Sequence, residues 1–150
     1  MKFVNSSLKF GKDGIWYHEG TEITHVGICS ALNNSLTKDD NGRYRVSIGE
    51  EWSYVDIEDT PFVVRELSFF KDPPRFMIFL NDSTKEELNL GSLWIGGENV
   101  IYCMVKDGAY ETRFLRPAYY ELAKYIEHDK NRDVFFISLN GEKYYIRKKE

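Results

Sequence analysis

The chain has little of what usually announces a function. Among its 150 residues are two cysteines, Cys29 and Cys103. Two are too few for a disulfide framework, and they form no Cys-x-x-Cys pair of the kind that grips zinc. The three histidines, His18, His25 and His128, show no His-x-x-x-His spacing. No run approaches the 18 apolar residues that a membrane span requires. Met1-Lys2-Phe3-Val4 passes into polar Asn5-Ser6-Ser7 without an apolar core, so no signal peptide is expected. A cytoplasmic location with both thiols free is therefore expected. Net positive charge is missing too: the formal balance is −4, which speaks against a general nucleic-acid binder. The basic end, Arg147-Lys148-Lys149-Glu150, reads as a solubilising tag on a final strand.

Catalytic signatures are equally scarce. Asp129-Lys130-Asn131-Arg132-Asp133 begins like a calcium loop, but Val134 stands where Gly is needed and Asn140 where Glu is needed. It reads as a turn. Gly91 to Gly97 lacks the Lys-Ser/Thr of a phosphate-binding loop, and no Gly-x-Ser-x-Gly elbow occurs. Glu50 and Glu51 are adjacent, so on a strand they face opposite ways. Cys29 follows His25 by one helical turn, yet it shares the apolar face of its helix and reads as a small buried hydrophobe. No metal, cofactor or catalytic residue is expected, and the chain reads as a non-enzyme.

Aromatic residues are plentiful, with ten Tyr and ten Phe, many in alternating runs typical of strands. A hairpin is expected over 15–23, turning at Glu19-Gly20. Thr24 is placed to cap a helix over 24–36, with Ile28, Cys29, Leu32 and Leu36 on one face. Tyr44, Val46 and Ile48 alternate with Arg43, Arg45 and Ser47 as a half-buried strand, and Gly49-Glu50 turns it into a strand over 52–57. Residues 62–70 form an extended run broken by Lys71-Asp72-Pro73-Pro74. A strand over 76–80 follows, and residues 87–90 are expected to pair back on it.

The end of the chain repeats its beginning. A hairpin turning at Asp107-Gly108 leads to Pro117, which opens a helix over 117–127 with Ala118, Tyr119, Leu122 and Ile126 on one face. A strand over 134–137 and a turn at Asn140-Gly141 close the unit. Leu122, Asp129, Asn131 and Phe136 follow Leu32, Asp39, Asn41 and Val46 at an offset of 90; after the last hairpin it becomes 91, pairing Tyr145 with Tyr54. The reading is an α+β protein of duplicated ββαββ units, with an N-terminal sheet-plus-helix domain over 1–61 and a C-terminal one over 62–150.

Four stretches carry a family likeness: Trp16-Tyr17-His18-Glu19-Gly20-Thr21-Glu22-Ile23, Asn41-Gly42-Arg43-Tyr44, Val55-Asp56-Ile57-Glu58-Asp59-Thr60-Pro61-Phe62, and Arg113-Phe114-Leu115-Arg116-Pro117-Ala118-Tyr119-Tyr120-Glu121-Leu122. On these the chain resembles the bacterial domain-of-unknown-function family 1285; the match loosens at Asp72-Pro73-Pro74 and from Leu80 to Ile95. The resemblance implies two duplicated domains, the C-terminal one superficially pleckstrin-homology-like. It also implies a cleft between them for a small, nucleotide-like ligand in a signalling role.

One constellation has physical content of its own. Arg113 and Arg116 flank the start of the second helix, where free backbone N–H groups carry partial positive charge and call for an anion. A small anionic ligand would answer, with Tyr119 or Tyr120 stacking on it. An internal carboxylate, Glu51, Glu58 or Asp59, would answer as well. The leading reading is a ligand-binding or sensing module with its site between the repeats: Arg113 and Arg116 hold the anion, Trp16 and Tyr120 form aromatic walls, and Glu51 and Asp59 orient the arginines or bind hydroxyls. The alternative is a protein–protein adaptor using an exposed sheet edge or face, and an enzyme ranks third.

Overall fold

A computed structural model describes residues 7–149; the start of the chain, read above as carrying no signal peptide, and Glu150 of the basic tag lie outside the described residues. The protein is α+β, mostly strand with two helices. It divides into two compact units, Met1–Pro61 and Phe62–Glu150.

In the N-terminal unit, β1 (Leu8–Phe10), β2 (Trp16–His18), β3 (Thr21–Glu22) and β7 (Asp56–Ile57) form a sheet in the order β3-β2-β1-β7. Its β2–β3 hairpin turns through Glu19 at φ 50° and Gly20 at φ 81°, the doubly left-handed turn that matches strand twist. β4 (Thr37–Lys38), β5 (Tyr44–Ile48) and β6 (Glu51–Tyr54) form a second, antiparallel sheet. The segment expected as one strand over 52–57 is two: Val55, buried, donates its N–H to Tyr44 O at 3.0 Å, and beyond it the chain leaves β5 and pairs with β1 as β7.

Helix α1 (Val26–Ser35) packs on β5 through Leu32, which is fully buried. Thr24 is not its cap. His25 occupies that position, its Nδ1 accepting the Ile28 N–H at 3.1 Å. Cys29 is only half-buried, its thiol donating to Ile23 O at 3.3 Å, so it is less enclosed than its apolar neighbours suggest.

The C-terminal unit is built on one nine-stranded sheet. Its strands are β8 (Phe62–Lys71), β9 (Pro74–Leu80), β10 (Lys85–Glu87), β11 (Trp94–Ile95), β12 (Ile101–Val105), β13 (Tyr110–Phe114), β14 (Ile126–Asp129), β15 (Val134–Leu139) and β16 (Glu142–Lys148). They lie in the order β10-β9-β8-β13-β12-β11-β16-β15-β14. The proline pair ends β8 but does not separate it from β9: Lys71 and Pro74 face each other across a turn with a cis Asp72–Pro73 bond. The strand returning on β9 is Lys85–Glu87, earlier than the 87–90 expected; the Leu88 N–H still reaches Phe76 O at 2.8 Å, and Leu88 and Leu90 are buried in the core.

Helix α2 (Arg116–Ala123) lies against β8 with Ala118 and Leu122 fully buried. It stops one turn short of the expected 117–127, and Ile126 begins β14. The reason is tertiary. Tyr125 sits among Phe69 and Phe76, with ring centroids 5.5 and 4.9 Å away, and this aromatic cluster draws the chain off the helix before its periodicity runs out.

Candidate functional site

The strand-to-helix corner at the start of α2 opens onto a groove of about 400 Å³, within the size range of small-molecule sites. Arg113 reaches it from β13 and Arg116 from the first position of α2, with Tyr119 and Tyr120 one turn along the helix. The opposite rim is the tight loop carrying Glu98 and Asn99. Strict strand alternation would separate residues three apart, but β13 ends at Phe114 and Leu115 turns the chain into the helix, so both arginines line one space.

Several features favour negative charge there. No side chain caps α2 and no acidic residue occupies its first turn. Among the described residues neither Arg116 nor Glu98 forms a salt bridge. Arg113 is half-buried and already engaged by the fold. Tyr120 is 59% exposed and packs edge-on against Tyr119 at 5.8 Å, leaving ring surface available.

Glu98 and Asn99 were not singled out by sequence. Their mark is conformational: φ of 59° and 60° at two consecutive non-glycine residues, a backbone state that costs energy and concentrates at functional sites. Gly96 lets the loop pass over Tyr102, since a Cβ there would come within 2.7 Å of that ring.

The other three expected site residues belong to the N-terminal unit. Trp16 does not serve as an aromatic wall. It is 2% exposed, packs on Phe10 at 4.8 Å, and donates its indole N–H to Asn33 Oδ1 at 2.7 Å; it is core. Glu51 is an exposed residue at the start of β6. Asp59 is half-buried and engaged by the fold. Glu58, one of the internal carboxylates weighed as a partner for the arginines, takes the Lys12 N–H at 2.9 Å and lies 3.8 Å from Lys9 Nζ.

Among the described residues no group of three His, Cys, Asp or Glu side chains could hold a metal ion, and no helix is long and apolar enough to cross a membrane. The Asp129 carboxylate accepts the N–H groups of Asn131 and Arg132, which makes the calcium-like stretch a side-chain-closed turn. Neither cysteine is in a disulfide. Cys103 is buried in β12, and that burial, with a smaller contribution from Glu86, pushes its thiol far above the usual range.

No family model matches the chain, and no curated protein does. Two solved structures are similar to it. A DUF1285 family protein from Silicibacter pomeroyi DSS-3 aligns with a TM-score of 0.71 at 16% identity, over 93% of this chain and 79% of that one. A DUF1285 family protein from Shewanella baltica OS155 aligns with a TM-score of 0.61 at 15% identity, over 80% of this chain and 92% of that one. Across nearly its whole length, then, this chain has the fold of DUF1285 family proteins, the family its sequence motifs resemble.

Proposed function

We propose that the protein is a non-catalytic module that binds or senses a small anionic ligand in the groove at the start of α2. The observation that carries this reading is the convergence of Arg113 and Arg116 on one space beside an uncapped helix start. A planar guanidinium grips a phosphate or carboxylate with two parallel bonds, and the helix start adds partial positive charge on the same side. Tyr120 offers a ring for a flat group such as a base. Glu98 takes the part first assigned to Glu51 and Asp59, orienting an arginine or accepting from ligand hydroxyls. The same reading places the protein in the cytoplasm, consistent with neither cysteine being in a disulfide.

Duplication belongs to this reading, because the site would then be a specialised copy of a common unit. Strand order supports it. The N-terminal unit runs β3-β2-β1-β7 and, through β6, on to β5-β4; the C-terminal unit runs β13-β12-β11-β16-β15-β14. In each, the parallel pair joins the first strand to the last: Lys9 with Asp56 and Phe10 with Ile57, Trp94 with Arg147 and Ile95 with Lys148. Beyond that frame the C-terminal copy adds β8, β9 and β10.

Within this reading, the turns favour a different offset along β5 and β15. The pairing ending at Ile48–Glu51 corresponds to that ending at Leu139–Glu142, so the offset is already 91 along β5 and β15. Val46 therefore matches Ile137, both buried, rather than Phe136. The extra residue lies one turn earlier, where Asp39 faces Arg43 across three residues and Asp129 faces Val134 across four.

The test is thermal shift against mononucleotides, sugar phosphates and inorganic phosphate, with wild type and the Arg113→Gln/Arg116→Gln variant. Stabilisation of wild type that the variant loses is expected, with only a modest fall in its ligand-free melting point from Arg113, which the fold also engages. A large fall in the ligand-free melting point would instead make the arginines structural ion-pair partners.

A further inference from the structure

The N-terminal unit carries a second feature, separate from the groove. One face of the β4-β5-β6 sheet packs against α1 through buried Val46. The other presents Arg45 and Ser47 of β5, with Arg43 just before that strand, beside Trp52 and Tyr54 of β6. Here cations and rings interleave. The Arg43 guanidinium lies 3.4 Å from the centroid of the Tyr54 ring, and that of Arg45 lies 3.9 Å from the Trp52 ring. Trp52 and Tyr54 meet edge to face at 5.2 Å and 89°. Trp52 is 46% exposed and Arg43 is exposed.

This ladder is not explained by the fold. A large exposed tryptophan on a sheet contributes little to a core, and among the described residues neither guanidinium forms a salt bridge. Asp39, which faces Arg43 at the turn, accepts the N–H groups of Arg43 and Asn41 at 3.0 and 2.9 Å; it also takes a hydrogen bond from Tyr54 and attracts the Arg43 charge, without forming a salt bridge. What remains is two guanidiniums seated over aromatic rings, neither in a salt bridge with a carboxylate among the described residues. Stacking limits their rotation, so little further freedom is lost when a carboxylate is gripped. Arg, Trp and Tyr are also the residue types that dominate binding energy in protein interfaces.

We propose that this face docks an acidic segment of a partner protein, with carboxylates on Arg43 and Arg45 and an apolar side chain against Trp52. Charge complementarity sets the sign of the partner. Single-stranded nucleic acid, which also favours Arg and aromatic rings, is disfavoured on two grounds. The guanidiniums already cover ring faces on which bases would stack. Two arginines on a chain of net charge −4 also fall short of the many phosphate contacts such binding uses.

Fluorescence anisotropy of the full chain with a labelled peptide of three Glu-Glu-Leu repeats, alongside labelled ten-nucleotide oligo-dT, tests this directly. Peptide binding that weakens at least about 10-fold in the Arg43→Gln/Arg45→Gln variant, and that quenches or shifts Trp52 emission, is the expected result; a tenfold change is about 1.4 kcal/mol. Arg45→Lys, which keeps the charge but loses the planar stack, guards against a misfolded double variant and is expected to weaken binding several-fold. No peptide binding, binding indifferent to all these substitutions, or tighter binding of oligo-dT than of peptide would each overturn the proposal.

Discussion

At the residue scale, burial separates side chains that sequence alone treats alike. Leu32 and Leu122 are both fully buried, at the centres of the faces their spacing assigns to α1 and α2. Replacing either with Ala is expected to cost about 2–5 kcal/mol, transfer and cavity contributions together. Chemical denaturation of each variant measures this, and a change below about 1 kcal/mol would mean the wrong face. Trp16 shows the opposite case. As a tryptophan on a short strand beside a turn it looked available to a ligand; its actual partner, Asn33, lies 17 positions away on α1, beyond any local pattern. Trp16→Phe removes the indole N–H donor to Asn33 Oδ1 and part of a fully buried ring, a change expected to cost about 1–3 kcal/mol. A Trp16→Phe/Asn33→Leu double variant that recovers part of that loss would attribute it to the hydrogen bond.

At the scale of elements, hairpins were the most legible features. Glu19-Gly20 and Asn140-Gly141 both take positive φ at their two central residues, and this demand is local enough to be written in the residues themselves. Helix ends were less legible, since non-local contacts decide them: α2 yields to the Phe69, Phe76 and Tyr125 cluster, and α1 begins at a histidine cap rather than at Thr24. The arginine half of the groove followed from the corner after β13, whereas Glu98 and Asn99 were missed because they sit at the centre of a tight hairpin turn between β11 and β12, closed by the Val100 N–H on Gly97 O, without the glycine that usually marks such a turn at its second central position. That loop is testable. Tyr102 stacks on Trp94 at 5.2 Å and 12°, so its ring cannot swing aside to admit a Cβ at residue 96. Gly96→Ala is expected to destabilise the protein by about 1–3 kcal/mol and to weaken the anion binding proposed for the groove. A variant with wild-type stability and wild-type ligand response would show that the loop tolerates displacement.

For the whole molecule, titration of its perturbed groups sets the pH range of stability. Three carboxylates are held below their ordinary 3.8: Asp39 chiefly by the Arg43 N–H, Asp133 chiefly by His128, and Asp82. Asp82 is 8% exposed, and burial by itself would raise its pKa. The Lys106 ammonium at 2.8 Å and the hydroxyl and N–H of Thr84 outweigh that and bring it down. A depressed folded pKa means that the unfolded chain binds more protons as pH falls. The stabilisation is therefore complete above the unfolded carboxylate value and is lost as pH drops through the folded one. On the alkaline side, Tyr17 and Tyr144 are raised above 10.0 by hydrogen bonds to Asp13 and Glu142; the unfolded chain gives up those protons first, so stability falls again above about pH 10. The melting temperature should stay level across the neutral range and decline on both flanks. Asp82→Asn isolates the buried contribution: it should lower the melting temperature at pH 7, where it leaves the Lys106 ammonium without its partner, and narrow the gap to wild type as pH falls through the carboxylate range. A gap that stayed constant from pH 7 down to pH 2.5 would show that Asp82 contributes through its shape and hydrogen bonds alone, with no linkage to its charge.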